Sequence, residues 1–330
     1  MPNVLIKNSV ATVEVPYPKK KCALWHITSR CNSNCIYCYG TFDGSSYLEQ
    51  NAMAREASFE DICKGIAFLA QEGLKVVHVC GGEPFLRDDI EGIITQFNNH
   101  SIDVCLLSNF SFWPQSIDTM LKKGMIKMIS ASIDSNIVEV NNKTRLYGDK
   151  ALANINHVLE LRTKYSLTYK VGIYSVLTKY NLKYAYALID WAIEKGIDYI
   201  TLQPVYLPDN HPKFNDLSID KSLYPDLSKI FDYLNAQKDK IQSTGQVMQK
   251  IISMQYLGDN NTAYNCFGLK GLYYFIDGEG TIKSCPVRKE VLGKIQNLEL
   301  VQNIQAISIC NELCMDCIGS WEIMYPEERK

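Results

Sequence analysis

The sequence predicts an α/β protein built on a parallel sheet, followed by a smaller module of short strands. Three observations carry this. Six strand patterns alternate with helix patterns between residues 22 and 203, as crossovers between parallel strands require. From residue 264 onward the alternation is lost, and short strands with turn residues take over. The 330 residues, 46% hydrophobic and 21% charged, suffice for one large core and a small one.

Each element has its own signal. Residues 22–28 read as a strand that ends just before a cysteine-rich loop. Ser58, with Asp61 three residues on, caps a helix that Gly73 stops. Residues 75–80 form the second strand, 88–99 a helix and 103–108 a strand. Pro114 opens a helix over 114–123, and 126–133 is the fourth strand. Over 151–165, Leu152, Ile155, Val158, Leu159 and Arg162 recur at helix spacing. Strand 169–177, helix 182–195 and strand 198–203 complete the alternation. The sheet is either open and doubly wound or a partial barrel. In both, reactive groups gather at the carboxyl ends of the strands. Residues 204–220 contain Pro204, Pro208 and Pro212 and read as a boundary or lid, before a helix over 223–241. Two strand patterns, 272–276 and 281–285, flank Asp277-Gly278-Glu279-Gly280 as a hairpin.

Composition narrows the function. A net charge of -2 leaves no general basic field for nucleic acid; the run Lys19-Lys20-Lys21 reads as a solvated face. No segment has the apolar length of a membrane span, and residues 1–10 lack a secretory pattern. A cytoplasmic location is expected, where twelve cysteines point to metal or redox work rather than disulfides.

Cys31, Cys35 and Cys38 lie in Arg30-Cys31-Asn32-Ser33-Asn34-Cys35-Ile36-Tyr37-Cys38, a C-x3-C-x2-C spacing. Three thiolates are one short of the four that usually hold a four-iron cluster, which leaves one iron open. The competing readings are a tetrahedral zinc site, for which His26 is the nearest further ligand, and disulfide use. Gly81-Gly82-Glu83-Pro84 follows the second strand about forty residues later. Its glycines permit close backbone approach to a ligand and its carboxylate suits an ammonium.

This combination resembles the radical S-adenosylmethionine (SAM) superfamily, whose [4Fe–4S] loop follows the first strand. The resemblance implies a partial (β/α)6 radical SAM barrel. Cys31, Cys35 and Cys38 would be the cluster ligands, and Tyr37 would lie near adenine. Gly81, Gly82, Glu83 and Pro84 would meet the SAM amino group. Ser132 and Asp134, after the fourth strand, would supply polar contacts to SAM, and Arg145 would hold its carboxylate. Asn181 would reach the ribose, with Ser108 and Asn109 lining the same pocket; a turn or helix-cap role competes for single residues of this kind. The implied chemistry is reductive cleavage of SAM to a 5′-deoxyadenosyl radical that abstracts hydrogen from a substrate. An electron donor of flavodoxin or ferredoxin type is implied with it.

A second group, Cys266, Cys285, Cys310, Cys314 and Cys317, includes C-x13-G-x4-C and C-x2-C spacings. It resembles the auxiliary-cluster extension called SPASM, or its shorter Twitch form. Five cysteines suit the short form, with one further [4Fe–4S] cluster on Cys266, Cys285, Cys314 and Cys317. A zinc ribbon is the alternative. The expected organisation is a radical SAM core over 1–215, a helical linker over 216–260 and the auxiliary domain over 261–330.

Cys310 then replaces one ligand or lies free near the substrate. Cys80 and Cys310 are the candidates for a thiol that returns hydrogen to a substrate radical. Of the remaining cysteines, Cys63 reads as packed on its helix, and Cys105, like Cys80, as a small hydrophobe on a strand. His26 and His78 alternate with apolar residues and read as structural, as do Tyr206, Tyr273 and Tyr274. Asp209 and His211 are candidates for acid–base work near the sheet's mouth. The expected substrate is a small natural product or sugar-like molecule undergoing dehydrogenation, epimerisation or decarboxylation. The alternative is a peptide- or protein-modifying maturase, and a third reading is an iron–sulfur or zinc protein that only binds.

Overall fold

In a computed structural model, the structure describes residues 21–38, 56–205, 207, 211–243, 272–284, 286 and 291–297, with short strands at 12–13 and 263–264. In chain order the strands are β1 (Thr12–Val13), β2 (Lys21–Thr28), β3 (Leu74–Gly81), β4 (Asp103–Ser108), β5 (Met128–Ser132), β6 (Lys170–Leu177), β7 (Tyr199–Pro204), β8 (Gln242–Ser243), β9 (Ala263–Tyr264), β10 (Tyr273–Ile276), β11 (Thr281–Lys283) and β12 (Val291–Lys294). The helices are α1 (Phe59–Gln71), α2 (Ile90–Asn99), α3 (Gln115–Lys122), α4 (Val138–Asn141), α5 (Gly148–Lys164), α6 (Ala185–Glu194), α7 (Phe214–Leu217) and α8 (Tyr224–Ala236). The six expected βα alternations are therefore present.

Ten strands form one sheet in the order β12-β11-β10-β2-β3-β4-β5-β6-β7-β8. From β10 through β8 every pairing is parallel. Strands β2 to β7 follow one another in space as in sequence, with no reversal. A doubly wound sheet needs a reversal, so that alternative falls away. With crossovers of one hand, sequential strands put their helices on one face, as in a barrel.

The hairpin expected at 272–285 forms, with β10 antiparallel to β11. It does not stand apart: β10 pairs with β2 and extends the main sheet. Its turn reaches the root of the cysteine loop, where the Ala57 N–H donates to Gly278 O at 2.9 Å. Cys266, Cys285, Cys310, Cys314 and Cys317 lie outside the described residues, as do Tyr206 and Asp209.

The helix-bearing face is the hydrophobic core. Ser58 caps α1, accepting from the Asp61 N–H at 3.1 Å. Ile62, Gly65, Ile66 and Leu69 form its buried stripe, the 3-4 spacing of a helix face. Gly65 lies against Trp25, whose ring meets Phe97 of α2 edge-on at 5.5 Å. Since Trp25 faces the helices, Leu24 and His26 face the opposite, concave side.

In-register partners continue that concave face. Leu24, His78, Cys105 and Met128 make one row, and His26 with Cys80 begins the next. Ser130, Gly172 and Tyr199 continue it, and Ser132, Tyr174 and Thr201 make a row nearer the carboxyl edge. Tyr199 crosses over Gly172, where a side chain would occupy the space of its ring, and its hydroxyl hydrogen-bonds Ser130 Oγ. The smallest residue on β6 thus makes room for one of the largest on β7.

Candidate active site at the carboxyl edge of the sheet

The loop after β2 carries Cys31, Cys35 and Cys38, none of them in a disulfide. That removes the disulfide alternative for them. Three thiols on one short loop could each bind a metal, and the C-x3-C-x2-C spacing supplies three of them. Thiolates that hold a cluster each bind a different iron. The donor set and its spacing fit a cluster. Burial pushes the Cys31 thiol up to about 12, although the Ser33 N–H, 3.4 Å from its sulfur, pulls the other way.

Each neighbouring strand end grips this loop. From β3, the Gly82 N–H donates to Thr28 O at 2.9 Å, and the Glu83 N–H to Arg30 O at 2.8 Å. A Cβ on Gly81 would strike Thr28 O, and one on Gly82 would strike Arg30 O; Gly81 also has φ +139°. The glycines therefore serve close packing of two backbones. Glu83 is fully buried and joins β3 to β4. Its carboxylate accepts from Ser108 Oγ at 2.8 Å, the Asn109 N–H at 2.8 Å and the Phe85 N–H at 3.2 Å. Burial outweighs these bonds and pushes its carboxyl up to about 7. Three of the carboxylate's acceptor sites are thus used within the protein, and Gly81 and Gly82 beside it are part-buried. Pro84 is buried at the start of a 3-10 turn, Pro84–Leu86.

From β4, Asn109 donates through Nδ2 to Asn32 Oδ1 at 2.9 Å, and Asn32 donates to Ser111 Oγ at 2.8 Å. From β5, Asp134 accepts from the Tyr37 hydroxyl, Thr144 Oγ1 at 2.7 Å, Arg145 Nε at 3.0 Å and the Val176 N–H at 2.9 Å. Arg145 reaches on to Cys35 Sγ at 3.7 Å and lies 5.2 Å over the Tyr37 ring. Burial works against its charge, yet Asp134, then Tyr37 and Cys35, hold its pKa well above the usual value. Ser132 is half-buried on the concave face beside Tyr174.

Asn181 sits behind this network. It is fully buried. Nδ2 donates to Asp134 O at 3.0 Å and Val176 O at 2.8 Å, while Oδ1 accepts from the Thr178 N–H at 2.7 Å and hydroxyl at 3.0 Å. All its hydrogen-bonding capacity is used within the protein, so it braces the site. Cys80 is buried in register with His26. His211 is buried, and its Nδ1 accepts from the Lys213 N–H at 3.1 Å, a turn contact.

Several supporting residues escaped the sequence reading. Arg87 is buried, chelates Asp89 with two bonds of 2.7 Å, and donates to Ile27 O at 2.8 Å and Ala57 O at 3.2 Å. It thereby clamps both ends of the segment that holds the cysteines. Glu56 receives Arg30 at 2.8 Å and the Thr28 hydroxyl. Asn141 caps the main chain of Asp134 and Ser135. Arg87 two residues before Asp89, and Asn141 soon after a strand end, were the available signals. Leu207 and Leu217, from beyond β7, pack with Tyr37 over the loop.

A singly wound parallel sheet with a three-cysteine loop on its first crossover strand, braced by the next four strand ends, defines a cofactor-dependent α/β barrel-type protein. The profile of the radical SAM superfamily matches residues 25–217, and the chain belongs to that superfamily. It is 28% identical over 196 residues to a GTP 3′,8-cyclase of Saccharophagus degradans, covering 58% of this chain and 56% of that protein. It is 26% identical over 209 residues to an Fe-coproporphyrin III synthase of Methanosarcina barkeri, covering 62% and 49%. The chain thus spans about half the length of these curated relatives. Among solved structures, Streptococcus suis SuiB bound to S-adenosylmethionine superposes with a TM-score of 0.61 at 16% identity, covering 83% of this chain and 63% of that one. AnSMEcpe with bound AdoMet and Cp18Cys peptide gives 0.60 at 19% identity, covering 84% and 77%. These two likenesses establish the fold. No helix among the described residues is long and apolar enough to cross a membrane.

Proposed function

We propose that this radical SAM enzyme acts on a small polar molecule, using a second [4Fe–4S] cluster of Twitch type on Cys266, Cys285, Cys314 and Cys317. The observation that carries the core of this reading is the loop of Cys31, Cys35 and Cys38 at the carboxyl edge of the sheet, with Arg145 against Cys35 Sγ at 3.7 Å. A [4Fe–4S] cluster held there supplies the electron for reductive cleavage of SAM and hydrogen abstraction from the substrate.

The chain's own residues do the positioning. Arg145 is a fixed cation beside Cys35, suited to a carboxylate. Gly81 and Gly82 bring backbone close to the loop. Tyr37 offers a buried ring on the cysteine loop itself. Substrate enters the concave face, which carries neutral polar groups: Ser132, Tyr174, Thr201 and Gln203. His26 and His78 beneath them are buried and held neutral, with pKa values lowered to about 4 by desolvation. Electrons would come from a donor of flavodoxin or ferredoxin type.

A small substrate is favoured by sequence similarity to proteins named as GTP 3′,8-cyclases. A peptide substrate is the second reading, because the fold also resembles anSMEcpe holding a peptide. Incubating the reduced protein with SAM and a panel of GTP, aminocyclitols, sugar nucleotides and short peptides separates the two. Stimulation of 5′-deoxyadenosine formation by a small molecule is expected. Stimulation by peptides alone would reverse the assignment. Iron analysis after reconstitution should give about eight iron per chain, for two four-iron clusters; about four would remove the auxiliary cluster.

A further inference from the structure

Asp134 ends the turn after β5, and its surroundings are more constrained than a ligand-binding carboxylate needs. The residue is buried. Oδ1 accepts from Arg145 Nε at 3.0 Å and the Val176 N–H at 2.9 Å, and Oδ2 from Thr144 Oγ1 at 2.7 Å and the Tyr37 hydroxyl. Its main chain is also held: the N–H donates to Asn141 Oδ1 at 2.8 Å, and the carbonyl accepts from Asn181 Nδ2 at 3.0 Å. A carboxylate offers about four acceptor sites, and here all are taken.

The partners of Asp134 are informative. Tyr37 directly precedes Cys38. Arg145 touches Cys35 Sγ through Nη1. One buried carboxylate thus holds two cysteines of the loop, one through a chain neighbour and one through a cation. Arg145 spends Nε on Asp134 and Nη1 on sulfur. Among the described residues no acceptor meets its Nη2, so that nitrogen keeps its donors unspent.

We propose that Asp134 is a positioning residue that locks the Arg145 guanidinium and the cysteine loop into one frame, leaving the Nη2 edge to receive the carboxylate of SAM. The inference rests on the SAM-binding reading above and adds the residue that preorganises it. A fully satisfied buried network fixes its members more tightly than separate bonds do, and rigid support of a binding group is what holds it in productive geometry. Asp134→Asn preserves shape. Its amide oxygen can still serve Arg145 and Val176, while the hydroxyls of Tyr37 and Thr144 can turn to accept. The variant loses the charge that anchors Arg145.

The test is a double-mutant cycle on SAM affinity, read by equilibrium dialysis of anaerobically reconstituted protein, with iron content measured alongside. Asp134→Asn should weaken SAM binding by about tenfold, the scale of one charge-assisted hydrogen bond, while iron content holds. Arg145→Ala should weaken it at least as much. In the Arg145→Ala background, Asp134→Asn should add less than about twofold, because the residue it positions is gone. A merely structural Asp134 would give additive losses, and additivity overturns the proposal. So would unchanged affinity in Asp134→Asn. If that variant fails to fold, Tyr37→Phe cuts the loop's bond to the same carboxylate. It should weaken SAM binding about threefold with Arg145 present and not with Arg145→Ala; equal losses in both backgrounds overturn the proposal. Wild-type protein that holds iron but does not bind SAM would overturn the underlying reading as well, so the two failures are distinguishable.

Discussion

The carboxyl rim of the sheet and the middle of its concave face treat polar groups in opposite ways. At the rim, Glu83 takes three donors, Asp134 four, and Asn181 completes four hydrogen bonds. Along the strands, His78 Nε2, Ser175 Oγ and Thr201 Oγ1 are buried and have no hydrogen-bond partner among the described residues, and at the rim Asn136 Oδ1 and Asn141 Nδ2 share that state beside the fully bonded groups. A satisfied buried network is rigid; an orphaned buried group costs about 1–3 kcal/mol. The rim is built to hold its shape. The middle keeps polar atoms in reserve, a pattern that active sites tolerate and cores do not.

The largest test of this contrast is Asp134→Ala. It strands the Arg145 cation and should destabilise the protein by about 3 kcal/mol, measured by urea unfolding of the metal-free form. Gly82→Ala forces Arg30 away from β3 and should cost about 1–3 kcal/mol in the same assay. It should also lower iron retention on reconstitution.

Acidity provides a test in which the two regions oppose each other. Glu83 at the rim has its pKa raised from 4.5 to about 7, so the folded state binds more protons than the unfolded chain. Its contribution is full below pH 4.5 and is lost as pH rises through 7. His78 in the middle has its pKa lowered from 6.5 to about 4, so the unfolded chain binds more protons. Its contribution is present above pH 6.5 and is lost as pH falls toward 4. Thermal unfolding across this range should show Glu83→Gln flattening the alkaline slope and His78→Leu flattening the acid one. Identical slopes in both variants would break the comparison.

The smallest effect is expected at Thr201. Thr201→Val removes a buried hydroxyl without a partner and keeps the shape, so stability should not fall and should rise by about 1 kcal/mol. Asn181→Ala at the rim should cost about 2 kcal/mol, since it frees two carbonyls and two Thr178 donors. Similar losses at both positions would mean that the middle of the face is as fully bonded as the rim.

Much of this architecture was legible from local pattern. Cys31, Cys35 and Cys38, the glycines at 81 and 82, and the alternation of strands and helices all announce themselves over short stretches of sequence. The winding did not: periodicity is the same in open and barrel-like sheets, and only the spatial order of β2 to β7 separates them. The hairpin was readable from its turn, but its pairing with β2 links residues some 250 positions apart, and nothing local encodes that. The hardest distinction was between residues that touch a ligand and residues that hold those that do. Glu83, Asp134 and Asn181 follow strand ends, as ligand-binding residues would. Their burial and their hydrogen bonds within the protein give them a bracing role, and a single sequence carries neither quantity.

The central claim is that Cys31, Cys35 and Cys38 hold the redox centre that drives SAM cleavage. It is tested most directly by reconstituting wild-type protein and Cys35→Ala without air, reducing both, adding SAM and quantifying 5′-deoxyadenosine. The wild type should form it and the variant should form none. A colourless wild type that leaves SAM intact, or a variant that matches it, would contradict the account.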